Sequence, residues 1–312
     1  MIICCGEALI DMMPVATDLG EFLHPIAGGA VFNTAVGLGR LGVDVAMLTG
    51  LSSDLFGKQL ARELEFSNVN IDLCVGFDRP TTLAFVEIDD GKARYHFYDE
   101  NSAGRMLQSS NLPDIPDAAS ALFLGGISLC SEPAAETYAG LAEKCASQAT
   151  VILDPNIRAG FIDDEIAYRA RLQRIFAVAD IVKVSDEDLE WLEPSPSTER
   201  QRVEKLRHEQ MAGANNLVFV TRGDWGAVAY LPDNTWVEVA ATKVTVVDTV
   251  GAGDAFNAGM LASLIQDTQL SKKSIKTVSA QVVESALQRG ITVAGFTVSR
   301  AGANSPWASE LL

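Results

Sequence analysis

Apolar positions along the chain fall into two periods, and the change from one to the other sets out the elements. A continuous apolar run over residues 2–5 predicts a short buried strand, and residues 34–41 follow helical spacing. The same reading gives a strand over 43–49 and a helix over 55–65 with one apolar face. Residues 82–88 alternate in strand fashion, residues 89–92 carry turn chemistry and residues 93–98 return, which predicts a β-hairpin outside the main sheet. Beyond residue 121, strands and helices alternate: strands at 122–125, 151–153, 181–184 and 217–220, with a helix over 132–147. A second hairpin is expected from 227–230 and 235–239 around Pro232-Asp233-Asn234, and residues 194–209 form a polar surface loop and helix. A β-branched run at 244–247 reads as a strand, 255–265 as a buried helix and 279–295 as an Ala-rich helix. Such alternation predicts an α/β protein with a mainly parallel sheet covered on both faces.

Composition leaves that picture standing. The 312 residues are 48% hydrophobic and 21% charged, ordinary for a globular protein able to bury a sizeable core. A formal charge of −17 argues against nucleic acid as a partner, while a nucleotide needs only local cations and N–H dipoles. No apolar run approaches the roughly 20 residues of a membrane helix, so no membrane partner is expected. The start, Met1-Ile2-Ile3-Cys4-Cys5-Gly6, lacks the basic region of a signal peptide. Five scattered cysteines without a C-x-x-C pair point to buried thiols in a reduced, cytoplasmic setting rather than to zinc. Neither internal repeats nor linker-like tracts divide the chain.

The chemistry concentrates in Asp248-Thr249-Val250-Gly251-Ala252-Gly253-Asp254. A glycine-rich turn entering a helix offers unpaired backbone N–H groups and the positive end of a dipole, which together suit an anion such as phosphate. Asp254 beside that anion makes sense as a general base, with a helix cap as the alternative. Gly37-Leu38-Gly39-Arg40-Leu41-Gly42 matches a dinucleotide-binding pattern letter for letter, but a helix precedes it and a strand follows, the reverse of what that site requires. Gly42 is better read as ending the helix. Gly57-Lys58 lacks the upstream glycine of a P-loop.

The D-T-x-G-A-G-D stretch closely resembles the signature of the ribokinase-like sugar kinases, also called the PfkB carbohydrate kinases. Further resemblances follow in the same order along nearly the whole chain: Gly6-Glu7-Ala8-Leu9-Ile10-Asp11, Gly28-Gly29 leading to Asn33, Asp154-Pro155-Asn156-Ile157-Arg158, and Thr221-Arg222-Gly223 with Gly226. The fold this implies is a three-layer α/β/α ribokinase-like domain over 1–312, with a mainly parallel central sheet and a small β-sheet lid from about residues 12–27 and 80–105.

Carried over residue by residue, the resemblance makes Asp254 the general base and Gly251, Ala252 and Gly253 the anion hole, aided by Arg158. It assigns Asp11, Gly28, Gly29 and Asn33 to the sugar, with Tyr98, Asn101 and Arg105 of the lid as further candidates. It assigns Lys183, Ser185, Thr221, Gly223, Gly226, Thr249, Gly251, Gly253, Gly302 and Ala303 to the nucleotide. Where the family organises Mg²⁺ through water with an N-x-x-E element, this chain has Ser185 and Asp188, so Asp188 and its neighbour Glu187 compete for that role. The implied cofactors are ATP and Mg²⁺, with a monovalent cation such as K⁺ near the Asp248 loop, and the implied assembly is a homodimer through the lid. The implied reaction is transfer of the ATP γ-phosphoryl group to a sugar hydroxyl. Fructose is the first expectation, because G-E-A-L-I-D and D-P-N-I-R resemble fructokinase-like members. 2-Keto-3-deoxygluconate is the alternative substrate, and a non-catalytic sugar or nucleotide sensor the alternative function.

Overall fold

In this computed structural model, which describes residues 1–18, 20–89, 92–195, 197–211 and 216–311, the apolar runs become the strands of one large sheet. In chain order the strands are β1 (Ile2–Cys5), β2 (Leu9–Thr17), β3 (Gly20–Gly28), β4 (Val45–Leu48), β5 (Gly50–Ser52), β6 (Val75–Phe77), β7 (Thr82–Asp89) and β8 (Lys92–Tyr98). They continue as β9 (Ala121–Gly125), β10 (Thr150–Asp154), β11 (Ile181–Ser185), β12 (Leu217–Thr221), β13 (Ala227–Tyr230) and β14 (Trp236–Val239). The helices are α1 (Ala30–Arg40), α2 (Leu55–Phe66), α3 (Ala134–Cys145), α4 (Glu165–Val178), α5 (Asp186–Leu192), α6 (Glu199–Glu209), α7 (Ala252–Thr268), α8 (Lys272–Lys276) and α9 (Ala280–Val298).

The large sheet runs β14-β13-β12-β11-β10-β9-β1-β4, parallel from β12 to β4 and antiparallel over the β12–β14 end. Side chains alternate across it. Ile2 and Cys4 point into the layer holding α1, α2, α7 and α9, whereas Ile3 and Cys5 point into the layer of α3 to α6. Burial on both faces explains why these strands read as unbroken apolar runs. Helix α7 buries Phe256, Met260, Leu261 and Leu264 around its circumference, and its exposed side chains are Gln266 and Asp267 near its C-terminal end.

A second sheet, β3-β2-β7-β8, stands apart from the first, and β5 and β6 form a small parallel pair. The hairpin at 82–98 is therefore present, although positions 90 and 91 of its expected turn lie outside the described residues, as does position 196 of the polar 194–209 segment. Two expectations are corrected. Residues 244–247 form no strand; Val246 and Val247 are exposed, and the Val247 and Asp248 N–H groups donate to the Val298 carbonyl at 2.8 and 3.2 Å. That run follows the end of α9 instead of the sheet, whose edge is already taken by β14. Asp11, expected just beyond β1, lies within β2 of the second sheet.

The glycine pattern at 37–42 resolves as a helix end. Gly42 has φ 80°, its N–H donates to the Gly39 carbonyl, and the Val43 N–H donates to the Leu38 carbonyl, both at 3.0 Å. This is a Schellman closure with Gly42 one position past the cap. Among the described residues, no helix is long and apolar enough to cross a membrane, and all five cysteines are free.

Candidate active site

Strands β1, β9, β10, β11 and β12 all end at one edge of the sheet, and the polar residues singled out above follow those ends. Gly251 precedes α7 with φ 75°, and a Cβ there would lie 2.4 Å from that of Ala303. Only glycine makes this turn without strain. No side chain caps α7, and the N–H groups of Gly253 and Asp254 find no acceptor among the described residues. Those two N–H groups stand unpaired at the turn, whereas the Ala252 N–H donates to the Thr249 carbonyl at 3.3 Å. Asp248 braces it: its carboxylate accepts from the Val250 N–H at 3.0 Å and from the Gly302 N–H at 2.8 Å, joining the 249–253 turn to the 302–303 loop.

Asp254 is not a cap. Its carboxylate is buried and accepts a hydrogen bond from the Asn33 amide (Nδ2) at 2.9 Å across the α1–α7 contact. Burial pushes its pKa up to about 7. The Asn33 hydrogen bond opposes this, Asp154 adds to it, and the charges of Lys183 and Arg158 oppose it. A carboxyl group titrating there is poised to take a proton near neutral pH. The Asn33 amide therefore holds the Asp254 carboxylate in place.

Across the cleft, the Asp11 carboxylate occupies the space that a Gly28 side chain would fill, since a Cβ on Gly28 would lie 2.2 Å from Asp11 Oδ2. Burial raises the Asp11 pKa to about 6, and its carboxylate has no hydrogen-bond partner among the described residues. Glu7, unassigned from sequence, accepts from the Ala30 and Ser128 N–H groups at 2.9 and 3.2 Å. It thereby caps α1, the helix that carries Asn33, where Gly29 offers no side chain.

Beneath the turn lies a buried polar cluster. Lys183 Nζ is 3.1 Å from Asp154 Oδ2, which also accepts from Asn257 Nδ2 at 2.6 Å, and a Cβ on Gly253 would lie 3.3 Å from the same ammonium. Lys183 is thus engaged with Asp154 below the Gly251–Gly253 turn. Burial works against its charge, but Asp154 and Asp188 outweigh that and raise its pKa. Asp188 forms a capping box with Ser185, and its second oxygen accepts from the Ile157 N–H at 2.9 Å, while Glu187 stays exposed. Arg158 is exposed beside this loop, near enough to Asp254 for its charge to be felt there.

The lid candidates need correction. Tyr98 is 60% exposed and packs edge-on against Phe85, on the face of β8 away from Asp11. Arg105 is tied to Asp99 at 3.0 Å and to the Glu132 carbonyl, and Asn101 is an exposed left-handed turn residue with φ 58°. Tyr95 and Phe97, on the other face of β8, turn toward the cleft in place of Tyr98. On the nucleotide side, Thr221 ends β12 and Gly223 turns with φ 54°. Gly226 abuts the backbone at Val239–Ala241, so the hairpin itself requires a glycine there. Thr249 is exposed at the mouth of the turn.

Comparison with known proteins follows from this arrangement. The model of the pfkB family carbohydrate kinases matches residues 1–310. A fructokinase of Rhizobium leguminosarum bv. trifolii is 47% identical over 284 residues, covering 91% of this chain and 85% of the relative. A probable chloroplastic fructokinase of Arabidopsis thaliana is 37% identical over 280 residues, 86% of this chain and 71% of the relative. Among solved structures, the fructokinase of Xylella fastidiosa with bound ATP superposes with a TM-score of 0.90 at 28% identity, over 99% of this chain and 96% of that one.

Proposed function

The chain belongs to the pfkB family of carbohydrate kinases, and from that premise we propose that it transfers the γ-phosphoryl group of ATP to a hydroxyl of fructose. The protein is an enzyme, a phosphotransferase acting on a sugar hydroxyl, and fructokinase relatives at 47% and 37% identity support fructose as the acceptor. One observation carries the mechanism: a buried carboxylate, Asp254, stands at the unpaired N-terminus of α7, held by Asn33 on the side of Asp11. Asp11, Gly28 and Gly29 orient the sugar. Asp254 takes the proton from the attacking hydroxyl, and the N–H groups of the Gly251-Ala252-Gly253 turn with Arg158 stabilise charge on the transferred group. The nucleotide lies along Thr221, Gly223, Thr249, Gly302 and Ala303.

Magnesium fits this donor set as an ion held mainly by the nucleotide's phosphates and water. The described residues hold no cluster of three ligating side chains, but Mg²⁺ ordinarily takes only one or two carboxylates. Glu187 is exposed for such a contact, and Asp188 serves chiefly as a cap. When bound, the ion neutralises phosphate charge. A monovalent cation such as K⁺ belongs against the Asp248 loops, where that carboxylate supplies the negative charge. The chain works as one kinase domain with residues of about 12–27 and 80–105 as its lid, in the cytoplasm, where five free thiols persist. The lid sheet leaves Val15, Phe22 and Leu23 exposed at the paired tip of β2 and β3, an apolar end that a second copy would cover in a homodimer.

The charges of Asp11, Asp248 and Asp254 are felt at Tyr95 together with the one guanidinium of Arg158, and the Lys183 ammonium acts on Asp254 while paired with Asp154. That balance disfavours an anionic sugar such as 2-keto-3-deoxygluconate. The test is ADP release from Mg-ATP with fructose, 2-keto-3-deoxygluconate, ribose, tagatose 6-phosphate and adenosine. Strong turnover on fructose supports the reading; turnover on another compound alone replaces the substrate, and binding without turnover of any would favour a sensor. With fructose, kcat/KM is expected to fall roughly tenfold per pH unit just below about 7 and to level off above it, because Asp254 acts only when deprotonated. A flat profile from pH 5 to 8 would remove it as the base. Asp11→Ala is expected to raise the fructose KM by about 10- to 100-fold, the range for a hydrogen bond to a charged group. An unchanged KM would place Asp11 outside the sugar site.

A further inference from the structure

The glycines at 37 and 39, which end α1 instead of opening a dinucleotide site, bring that helix close to its neighbours. A Cβ on Gly37 would lie 2.6 Å from that of Ala258 in α7 and 3.2 Å from Ser305 Oγ. One on Gly39 would overlap the Ser67 carbonyl just past α2. So α1 sits flush between these segments, and Arg40, its last residue, reaches the end of α2 on one side and the C-terminal segment on the other.

Arg40 is 10% exposed, and all three nitrogens of its guanidinium group are engaged. Nε donates to Ser67 Oγ at 3.1 Å and Nη2 to Glu63 at 2.8 Å, both at the end of α2. Nη1 donates twice to the C-terminal segment, to Asn304 Oδ1 at 2.9 Å and to the Ser305 carbonyl at 2.8 Å. The group also lies over the Trp307 ring, 5.5 Å from its centroid. A flat fork of donors holds its partners in one geometry, which a lysine ammonium does not reproduce.

The segment held in this way abuts the turn that opens α7. The Asn304 N–H donates to the Gly302 carbonyl at 2.8 Å and the Ser305 N–H to the Ala303 carbonyl at 3.3 Å, so 302–305 is one tight loop. Asp248 fixes that loop at Gly302, Arg40 fixes it at 304–305, and between them Ala303 lies directly against Gly251. Loss of either anchor frees Ala303 to move away from the turn.

We propose that Arg40 is a positioning residue for the nucleotide: it holds the 302–305 loop against the Gly251 turn in the form that ATP meets, acting through the loop rather than on a substrate. The proposal rests on the reading that the nucleotide lies along Gly302 and Ala303. It gives α1 a task at each end, since Asn33 in its first turn holds Asp254.

Arg40→Lys tests it, because the charge and most of the stem remain while the fork is lost. Glu63→Ala is the control, since it removes the ion pair on the α2 side and leaves Asn304 and Ser305 their bonds. Mg-ADP affinity is measured by calorimetry without sugar, and KM values for ATP and for the sugar are measured beside it. A loop that keeps its binding geometry about a tenth of the time weakens its ligand about tenfold. Arg40→Lys is accordingly expected to weaken Mg-ADP and raise the KM for ATP by about tenfold, with the sugar KM unchanged. Glu63→Ala should leave both nucleotide values as in wild type. An unchanged Mg-ADP affinity in Arg40→Lys overturns the proposal. So does an equal loss in Glu63→Ala, the mark of general loosening around α1, or a rise of both KM values together. If wild type itself binds no Mg-ADP, the nucleotide reading falls and the proposal with it.

Discussion

Asp254→Asn is expected to lower kcat by about 10²–10⁴-fold, the usual cost of removing a general base, while leaving the affinities for ATP and fructose nearly intact. The substitution is close to isosteric, and Asn33 Nδ2 can still donate to the new side-chain oxygen at the distance it now keeps, 2.9 Å. Helix α7 should be undisturbed, because Asp254 makes no cap that the variant would lose. The residual rate should also lose the acid limb near pH 7, since the titrating group is gone. Single-turnover ADP formation, with sugar and nucleotide affinities measured separately, checks all three points. A variant that keeps most of its activity, or one that loses sugar binding in proportion to rate, would move Asp254 from proton transfer to substrate positioning.

How far the sequence leads can be judged from particular residues. The parallel sheet was legible because both faces of β1 and β9–β12 are buried, which leaves unbroken apolar runs. The 244–247 run misled for the same reason: β-branched residues suit a strand, but the edge they would join is occupied by β14, and no local pattern records that. Asp254 and the glycine turn were read from one continuous motif and Asp11 from a separate stretch near the start of the chain, each through its resemblance to a family. That Tyr95 and not Tyr98 shares the face of Asp11 was not read from the sequence, although the signal was present. Glu87 and His96 share the parity of Tyr98 across the hairpin, and their charges mark that face as the exposed one. The roles of Glu7, Asp154 and Asn257 were beyond reach, because each depends on partners between 23 and 121 residues away that only the folded chain brings together.

The buried pair below the anion hole yields the largest expected change in stability. Lys183→Met removes the ammonium while Asp154 keeps only the Asn257 amide and, on its other oxygen, the Asn156 N–H at 3.2 Å. Both side chains of the pair are 3–4% exposed, so water cannot take the place of the lost cation. Stranding one partner of a buried ion pair costs about 3–5 kcal/mol. That should appear as a lower denaturation midpoint with an unchanged slope. The active site should register the same change. Lys183 lowers the Asp254 pKa and Asp154 raises it, so the acid limb of the rate should move above pH 7 in Lys183→Met. Adding Asp154→Asn removes both charges. The double variant should recover most of the lost stability, because a neutral pair carries no unpaired charge, and its acid limb should return toward the wild-type position. A loss below about 1 kcal/mol in the single variant would mean that the ammonium does not sustain this cluster. A double variant no more stable than the single would place the cost in packing around Lys183 rather than in the charge left on Asp154.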